Sequence, residues 1–200
     1  MSSDMSTPAR TVAGFDRKAQ ILREAVGIIA SEGYGSLTMR ALARASGIKL
    51  GALQYHFRTW DDLLRALAAY IGDAYRASFE TQVFAGEASG LRDIVRFVLD
   101  DLPGPELQAD RLFPQLWAMA RVEPVMEELL DEIYAEYLRQ LEERLVEAGS
   151  SAPRAEALAL MSLMEGSTLF VGRGRRWADD ADAVRDAAFA FIDARYGKED

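Results

Sequence analysis

Residues 38–57, with the sequence TMRALARASGIKLGALQYHF, predict two short helices joined by a tight turn. Thr38 can cap the first helix, because its hydroxyl can accept a hydrogen bond from a free N–H group of the first turn. Gly47 ends that helix, since glycine readily adopts the backbone angles that terminate helices. In the second helix, Leu53 and Phe57 lie four residues apart and share one face. This pattern is typical of a helix-turn-helix.

The outer face of the second helix is small, polar and aromatic, and such a face can enter a DNA major groove. Gln54 could read an adenine through two hydrogen bonds or bridge to other bases, and Arg40, one turn inside the first helix, can reach a guanine edge or a phosphate. Lys49, just before the second helix, suits a phosphate. Tyr55 and His56 suit phosphate contact, or contact with a thymine methyl group in the case of Tyr55, whereas Gly51 and Ala52 allow the helix backbone to approach closely.

The segment from residue 19 to residue 64 resembles the DNA-binding domain of the tetracycline-repressor (TetR) family of bacterial transcription regulators. The resemblance rests on residues in a fixed order: Ile21, Leu22, Ala25, Glu32, Gly33, Tyr34, Leu37, Thr38, Met39, Leu42, Ala43, Ser46, Gly47, Ile48, Gly51, Leu53, Tyr55, His56, Phe57, Asp62, Leu63 and Leu64. It implies that the outer-face residues contact DNA and that Thr38 lies near a phosphate. The chain departs from the family pattern at Trp60, where a phosphate-binding lysine is common. Trp60 can donate one indole N–H to a phosphate or can only pack.

The net charge of −9 is divided unevenly along the chain. Residues 1–58 contain eight basic and four acidic residues, a net charge of +4, and the remainder carries −13. Because salt screens charges over roughly 10 Å, the local positive charge matters more for phosphate contact than the total. Ordinary charge scatter is the alternative, but the positive charge coincides with the helix-turn-helix.

Composition excludes several classes of protein and site. The sequence contains no run of eighteen uncharged apolar residues, so we predict no membrane span. It also shows no signal pattern for secretion, so we expect a cytoplasmic protein. The absence of cysteine excludes disulfides and cysteine-ligated metals, and the single histidine, His56, disfavours structural zinc. We find no phosphate loop, Gly-x-Ser-x-Gly elbow or paired-histidine motif, so we predict no enzyme, no cofactor and no metal.

Apolar residues recur with helical spacing along the chain, and no strand pattern occurs, which predicts an all-α fold. The expected helices cover about 16–31, 38–45, 50–57, 59–82, 91–102, 109–122, 124–148, 153–171 and 180–195. Residues 1–14 lack periodicity and are expected to form a disordered arm. We assign 15–58 to a helix-turn-helix domain and 59–200 to a helical domain for which the resemblance implies ligand binding and dimerisation.

The helix over 153–171 is apolar nearly all round, so we expect it to be buried on two sides. Lines of small residues run along it and along the helix over 180–195: Ala155, Ala159, Ser162 and Gly166, then Ala183, Ala187, Ala190 and Ala194. Such lines can pack inside one chain or against a second copy. TetR-like proteins dimerise through a helix pair of this kind, so the resemblance implies a homodimer through about 153–171 and 180–195 on palindromic operator DNA.

The resemblance also implies a small-molecule effector that releases a repressor from DNA. Candidate lining residues are Tyr70, Phe97, Trp117, Met119, Met161, Met164 and Glu165. Aromatic and methionine side chains form adaptable apolar pockets, although the same set also describes an ordinary core. Glu165 stands out because an unpaired acid is costly to bury; it could recognise a cation or pair with an arginine such as Arg121.

These features predict a DNA-binding repressor released by a small, largely apolar effector bound near Trp117 and Met164. The alternative is a helical adaptor that binds other proteins and uses the helix-turn-helix only for packing. The positive charge on the motif disfavours the adaptor.

Overall fold

A computed structural model describes residues 9–83, 90–100, 107 and 109–197. Within these ranges the regular structure is helical and contains no strand, which confirms the all-α prediction. The α-helices of this part are α1 Ala9–Glu32, α2 Met39–Ala45, α3 Leu50–His56, α4 Trp60–Val83, α5 Leu91–Leu99, α6 Ala109–Ala120, α7 Pro124–Glu147, α8 Pro153–Phe170 and α9 Ala181–Tyr196. Short 3-10 turns cover Tyr34–Ser36 and Ala178–Asp180. No helix in the described ranges is long and apolar enough to cross a membrane.

The first helix begins at Ala9, seven residues before its predicted start. The structure therefore corrects the predicted arm over residues 9–14, which are helical, whereas residues 1–8 lie outside the described ranges. Gly14 is the one helix breaker in this stretch, and a single glycine costs about 1 kcal/mol relative to alanine, which a helix tolerates. The predicted end of the helix over 91–102 also lies outside the described ranges.

The chain divides into two compact units, Met1–Tyr70 and Ile71–Asp200. The division lies within α4, twelve residues after the boundary predicted between residues 58 and 59. At the start of α4, Thr59 Oγ1 accepts a hydrogen bond from the Asp62 N–H (3.0 Å), and Asp62 Oδ2 accepts one from the Thr59 N–H (3.1 Å), a reciprocal capping box. The first turns of α4 belong to the N-terminal unit, and their apolar residues are fully buried: Leu63, Leu64 and Leu67.

In the N-terminal unit, α1 packs against α2, and α2 packs against α3. The predicted apolar stripe of α1 is buried: Leu22, Ala25, Val26 and Ile29. Arg17 Nη2 donates a hydrogen bond to the Ser46 carbonyl oxygen at 2.9 Å, and Lys18 Nζ lies 5.3 Å from the centroid of the Phe57 ring. These contacts join α1 to the ends of α2 and α3, so the first helix supports both halves of the motif.

The C-terminal unit is built around α7, which packs against α5, α6 and α8. An aromatic cluster with ring centroids 5.1–6.5 Å apart fills part of its core: Tyr75, Phe79, Phe97, Phe113 and Tyr137. Edge-to-face geometry of this kind adds to the free energy gained from burial alone. The cluster packs against α7 through Tyr137. Residues of α7 close to Tyr137 in the sequence line the groove described below.

Helices α8 and α9 run antiparallel to each other. The Glu156 carboxylate, near the start of α8, accepts hydrogen bonds from Arg195 (2.8 Å) and from the Tyr196 hydroxyl (2.7 Å), near the end of α9. Arg92 of α5 pairs with Asp193 of α9, which holds α9 against α5.

The small-residue lines of α8 and α9 face outward in the single chain. Seven of their eight members are exposed, and Gly166 is half-buried. Large apolar side chains accompany them at 37–59% exposure: Leu158, Leu163, Leu169, Phe170 and Phe191. The opposite side of α8 is buried through Ala157, Leu160 and Met164. One chain alone therefore buries α8 on one side only, not on the two sides that its composition predicts.

Candidate functional site

The turn between α2 and α3 has the backbone geometry that its sequence predicts. Gly47 has φ +64°, in the left-handed region that favours glycine. The Gly47 N–H bonds the Arg44 carbonyl (3.1 Å), and the Ile48 N–H bonds the Ala43 carbonyl (2.9 Å). This pair of bonds is the Schellman motif, which satisfies the last carbonyl groups of α2. Its geometry fixes the direction in which α3 leaves the turn.

Helix α3 divides into a buried and an exposed face. Leu53 is fully buried, and Phe57, directly after the helix, is 1% exposed, so both anchor the motif in the core. Tyr55 is 85% exposed. Seven of the nine residues predicted to contact DNA are exposed, namely Thr38, Arg40, Lys49, Gly51, Ala52, Gln54 and Tyr55, and two are half-buried, namely His56 and Trp60. The outer face can therefore meet a ligand without disturbing the core.

Three residues at the edges of this face also have structural contacts. The Thr38 hydroxyl accepts a hydrogen bond from the Ala41 N–H at 3.0 Å, which confirms its predicted capping role. His56 lies edge-on to Tyr55, with ring centroids 5.6 Å apart. Trp60 packs near Tyr34 at a centroid distance of 6.4 Å. Phosphate contact by Trp60 stays a prediction beside this packing role.

In the C-terminal unit, helices α6, α7 and α8 border a groove of about 500 Å³. Helix α7 supplies Asp131, Tyr134, Ala135 and Leu138; helix α8 supplies Leu158, Met161 and Glu165; helix α6 supplies Trp117. Three residues predicted to bind the effector thus meet here: Trp117, Met161 and Glu165. The four α7 residues follow the spacing i, i+3, i+4, i+7. That spacing places all four on one side of α7, but it does not say which side faces a groove, and the sequence analysis did not select Asp131, Ala135 or Leu138.

The other predicted lining residues lie elsewhere. Phe97 and Met119 are fully buried, and Met164 is 2% exposed, so all three belong to the core of the C-terminal unit. Tyr70 belongs to the N-terminal unit. Their periodicity correctly indicated an inward face but could not distinguish core from cavity wall. Their assignment to a ligand surface stays a prediction.

Glu165 ends a short hydrogen-bonded chain at the groove. Trp117 Nε1 donates to the Tyr134 hydroxyl at 2.5 Å, and that hydroxyl bonds the Glu165 carboxyl group. Burial raises the pKa of Glu165 to about 7, and the bond from Tyr134 partly opposes this rise. Burial, together with the nearby charge of Glu165, raises the pKa of Tyr134. Neither Arg121 nor any other basic residue in the described ranges forms an ion pair with Glu165.

Comparison with known proteins places these features in a family. Residues 21–67 match the family model described as bacterial regulatory proteins, tetR family. The chain is 26% identical over 163 residues to the HTH-type nicotine-responsive transcriptional repressor HdnoR of Paenarthrobacter nicotinovorans, covering 77% of this chain and 82% of that protein.

Solved structures agree over most of the chain. A protein from Rhodococcus sp. assigned to the TetR family of transcriptional regulators superposes with a TM-score of 0.72 at 25% identity, covering 90% of this chain and 99% of that one. A protein from Saccharomonospora viridis, assigned as a transcriptional regulator and solved in complex with choline, gives a TM-score of 0.74 at 21% identity, covering 92% and 100%. The matches identify residues 21–67 as a TetR-family DNA-binding segment, and together with the helix-turn-helix and the all-helical second unit they support a TetR-family regulator.

Proposed function

We propose that this regulator is a repressor that binds a palindromic operator as a homodimer and is released by a small, largely apolar effector. The observation that carries the proposal is the division of α3, in which Leu53 is fully buried whereas Gln54 and Tyr55 are exposed. Because the core holds α3 through its buried side, its exposed side is available to enter a DNA major groove. The capped α2 and the left-handed Gly47 fix its angle.

The exposed residues divide into two roles by their chemistry. Lys49 and Tyr55 suit phosphate oxygens, which position the protein without reading sequence. Gln54 and Arg40 suit base edges, which carry the sequence information. Gly51 exposes bare backbone, and an added Cβ there would meet no atom within 4 Å, so its role is to allow close approach to DNA.

The outward lines on α8 and α9 support the dimer. Small residues let two helices approach closely, and the apolar side chains beside them would lose contact with water when a second copy packs there. At Gly166, an added Cβ would meet no atom within 4 Å in the single chain. The space beside this glycine is therefore open to a partner helix. Two copies would present two α3 helices, as an inverted-repeat operator requires.

The groove between α6, α7 and α8 supports control by a small molecule. HdnoR is named as nicotine-responsive, and the Saccharomonospora viridis protein was solved with choline. Both are small organic molecules, and a volume of about 500 Å³ lies within the range of small-molecule sites. We assign the effector to this groove through Trp117, Met161 and Glu165.

The relatives and the chemistry of the outer face disfavour the other functional classes. HdnoR and the Rhodococcus sp. protein are described as transcription regulators, so we infer that this chain is not an enzyme. The buried centre of a protein–protein interface is depleted in charged residues, whereas Lys49 lies exposed directly before α3, beside the exposed polar Gln54.

A selection experiment tests DNA recognition directly. The purified chain is mixed with random-sequence duplexes, and the bound molecules are sequenced after several rounds. We expect an inverted repeat, and we expect log affinity for it to fall with log salt by about 0.9 for each phosphate contacted. The Lys49→Ala variant should lower that slope by about 1. An enriched pool without an inverted repeat, or affinity independent of salt between about 50 and 200 mM, would contradict the proposal.

A further inference from the structure

The groove between α6, α7 and α8 has an acidic lining. Among the described residues that form it, Asp131 and Glu165 are acidic, none is basic, and the others are aromatic or aliphatic. We propose that this groove binds a compact organic ammonium cation, whose positive charge pairs with Glu165 and whose apolar body contacts Trp117 and Tyr134. The inference names the chemical class of the effector and so rests on the proposed function.

The first argument is the missing counter-charge at Glu165. Its carboxyl group is largely withdrawn from water, and no ion pair in the described ranges includes it. Withdrawing a carboxylate from water without a counter-charge is unfavourable even when a hydroxyl donates to it, and a bound cation would offset that penalty. An anionic ligand would instead be repelled by both Glu165 and Asp131.

The second argument is the use of hydrogen-bond donors in the groove. The Trp117 indole N–H donates to Tyr134, and the Tyr134 hydroxyl bonds Glu165, so both side-chain donors of the lining are already engaged. A neutral polar ligand that needs donors would gain little here. The groove instead offers carboxylate oxygens and aromatic rings, and these two features together recognise ammonium groups.

The third argument separates this groove from a second cavity that Glu165 also lines. That cavity, of about 480 Å³, includes Arg173 and Arg185, and Arg185 bonds Asp100 at 3.1 Å. Arginine already neutralises part of its acidic charge, so it has less need of an external cation. The site is therefore assigned to the side of Glu165 that faces Trp117 and Tyr134.

The pH dependence of binding provides a second observable. Ionised Glu165 should bind a cation more tightly than its protonated form, so affinity should rise as pH rises through its pKa of about 7 and then level off. The other titratable or charged groups that line the two cavities beside Glu165, or that it influences, are these: Asp131, Tyr134 and Tyr137 on α7, Tyr75 on α4, and Asp100, Arg173, Asp182 and Arg185 around the second cavity. A quaternary ammonium probe has no proton to lose, so its pH dependence reports the protein alone.

Calorimetric titration of the purified chain, without DNA, tests the proposal. The probes are choline, benzyltrimethylammonium and 3,3-dimethylbutan-1-ol, the last being the uncharged isostere of choline. We expect at least one cation to bind at concentrations up to about 10 mM and the alcohol to bind at least tenfold more weakly than choline. Glu165→Gln should weaken cation binding at least tenfold and remove its pH dependence. Glu128→Gln, which removes an exposed acid of α7 outside the groove, is the matched control.

The outcomes separate this inference from the proposed function. Failure of both cations to bind, equal binding of choline and the alcohol, or unchanged cation affinity in a folded Glu165→Gln variant each overturns the inference. Operator recognition by α3 would stand in all three cases, because the titration contains no DNA. Conversely, cation binding with no sequence-specific DNA binding would retain the site and overturn the proposed regulator.

Discussion

Replacing Glu165 with glutamine should change how the stability of the protein depends on pH. In the folded chain burial raises the pKa of Glu165 from 4.5 to about 7. Between these values the folded state binds more protons than the unfolded state, so the free energy of unfolding falls as pH rises. Each pKa unit corresponds to 1.36 kcal/mol, which makes the full effect about 3 kcal/mol. Glutamine keeps an oxygen that can accept the bond from Tyr134, but it does not titrate.

The free energy of unfolding of Glu165→Gln, relative to the wild type, should therefore increase with pH. Linkage predicts that this difference in the free energy of unfolding rises by about 2.5 kcal/mol between about pH 5 and pH 8. The rise occurs because only the wild type loses, as pH increases, the stability that the protonated Glu165 provides. Urea unfolding followed by circular dichroism, at one fixed protein concentration, measures this difference. Titration of the remaining acids is common to both proteins and cancels.

The control is Glu128→Gln, which removes an equal charge from an exposed position on α7. Its stability difference from the wild type should stay nearly constant over the same pH range. A constant difference for Glu165→Gln as well, or one that decreases with pH, would refute the assignment of Glu165 as a desolvated acid.

The remaining predictions concern the DNA-reading face, the dimer and the groove. Gln54→Ala should reduce the sequence preference at one base pair, at a cost of about 1–3 kcal/mol in binding free energy for the preferred base. Lys49→Ala should instead weaken the binding of all DNA sequences alike. An unchanged base preference in Gln54→Ala would show that Gln54 does not read a base. Gly166→Leu should dissociate the dimer in sedimentation, because overpacking costs about 1–3 kcal/mol at an interface, whereas Ala118→Leu on the exposed side of α6 should leave it intact. Trp117→Ala should lower choline affinity in calorimetry and spare operator binding, and unchanged affinity would place the ligand elsewhere.

The helix-turn-helix could be predicted from sequence because its signals are local. The cap at Thr38, the break at Gly47 and the pair Leu53 and Phe57 all fall within twenty residues, and each acts through its immediate neighbours. The start of α1 could not be found in this way, since residues 9–14 carry no strong start signal. The unit division at Tyr70 depends on tertiary packing, which a helical pattern does not report.

The groove was predicted only in part, for a similar reason. Helical periodicity separates the inward from the outward face, but Met164 and Glu165 are adjacent and differ in environment, one in the core and one at the groove. Glu165 was identifiable because a charged residue in an apolar helix is unusual. Asp131 was not, because it lies in a helix with many exposed acids, and only the three-dimensional position of α8 shows that it faces the groove.

Helix α8 carries both proposed surfaces, and this gives ligand binding a route to assembly. Its groove residues, Leu158, Met161 and Glu165, alternate with the outward line that includes Ser162 and Gly166. A ligand affects assembly only if it binds one arrangement of α8 more tightly, and linkage makes that effect equal in both directions. Sedimentation with and without saturating choline measures the dimer dissociation constant. That constant should change by an amount set by the ratio of the choline affinities of the dimer and the monomer. A dissociation constant unchanged by bound choline would show that choline binding is not coupled to the contact between the two copies.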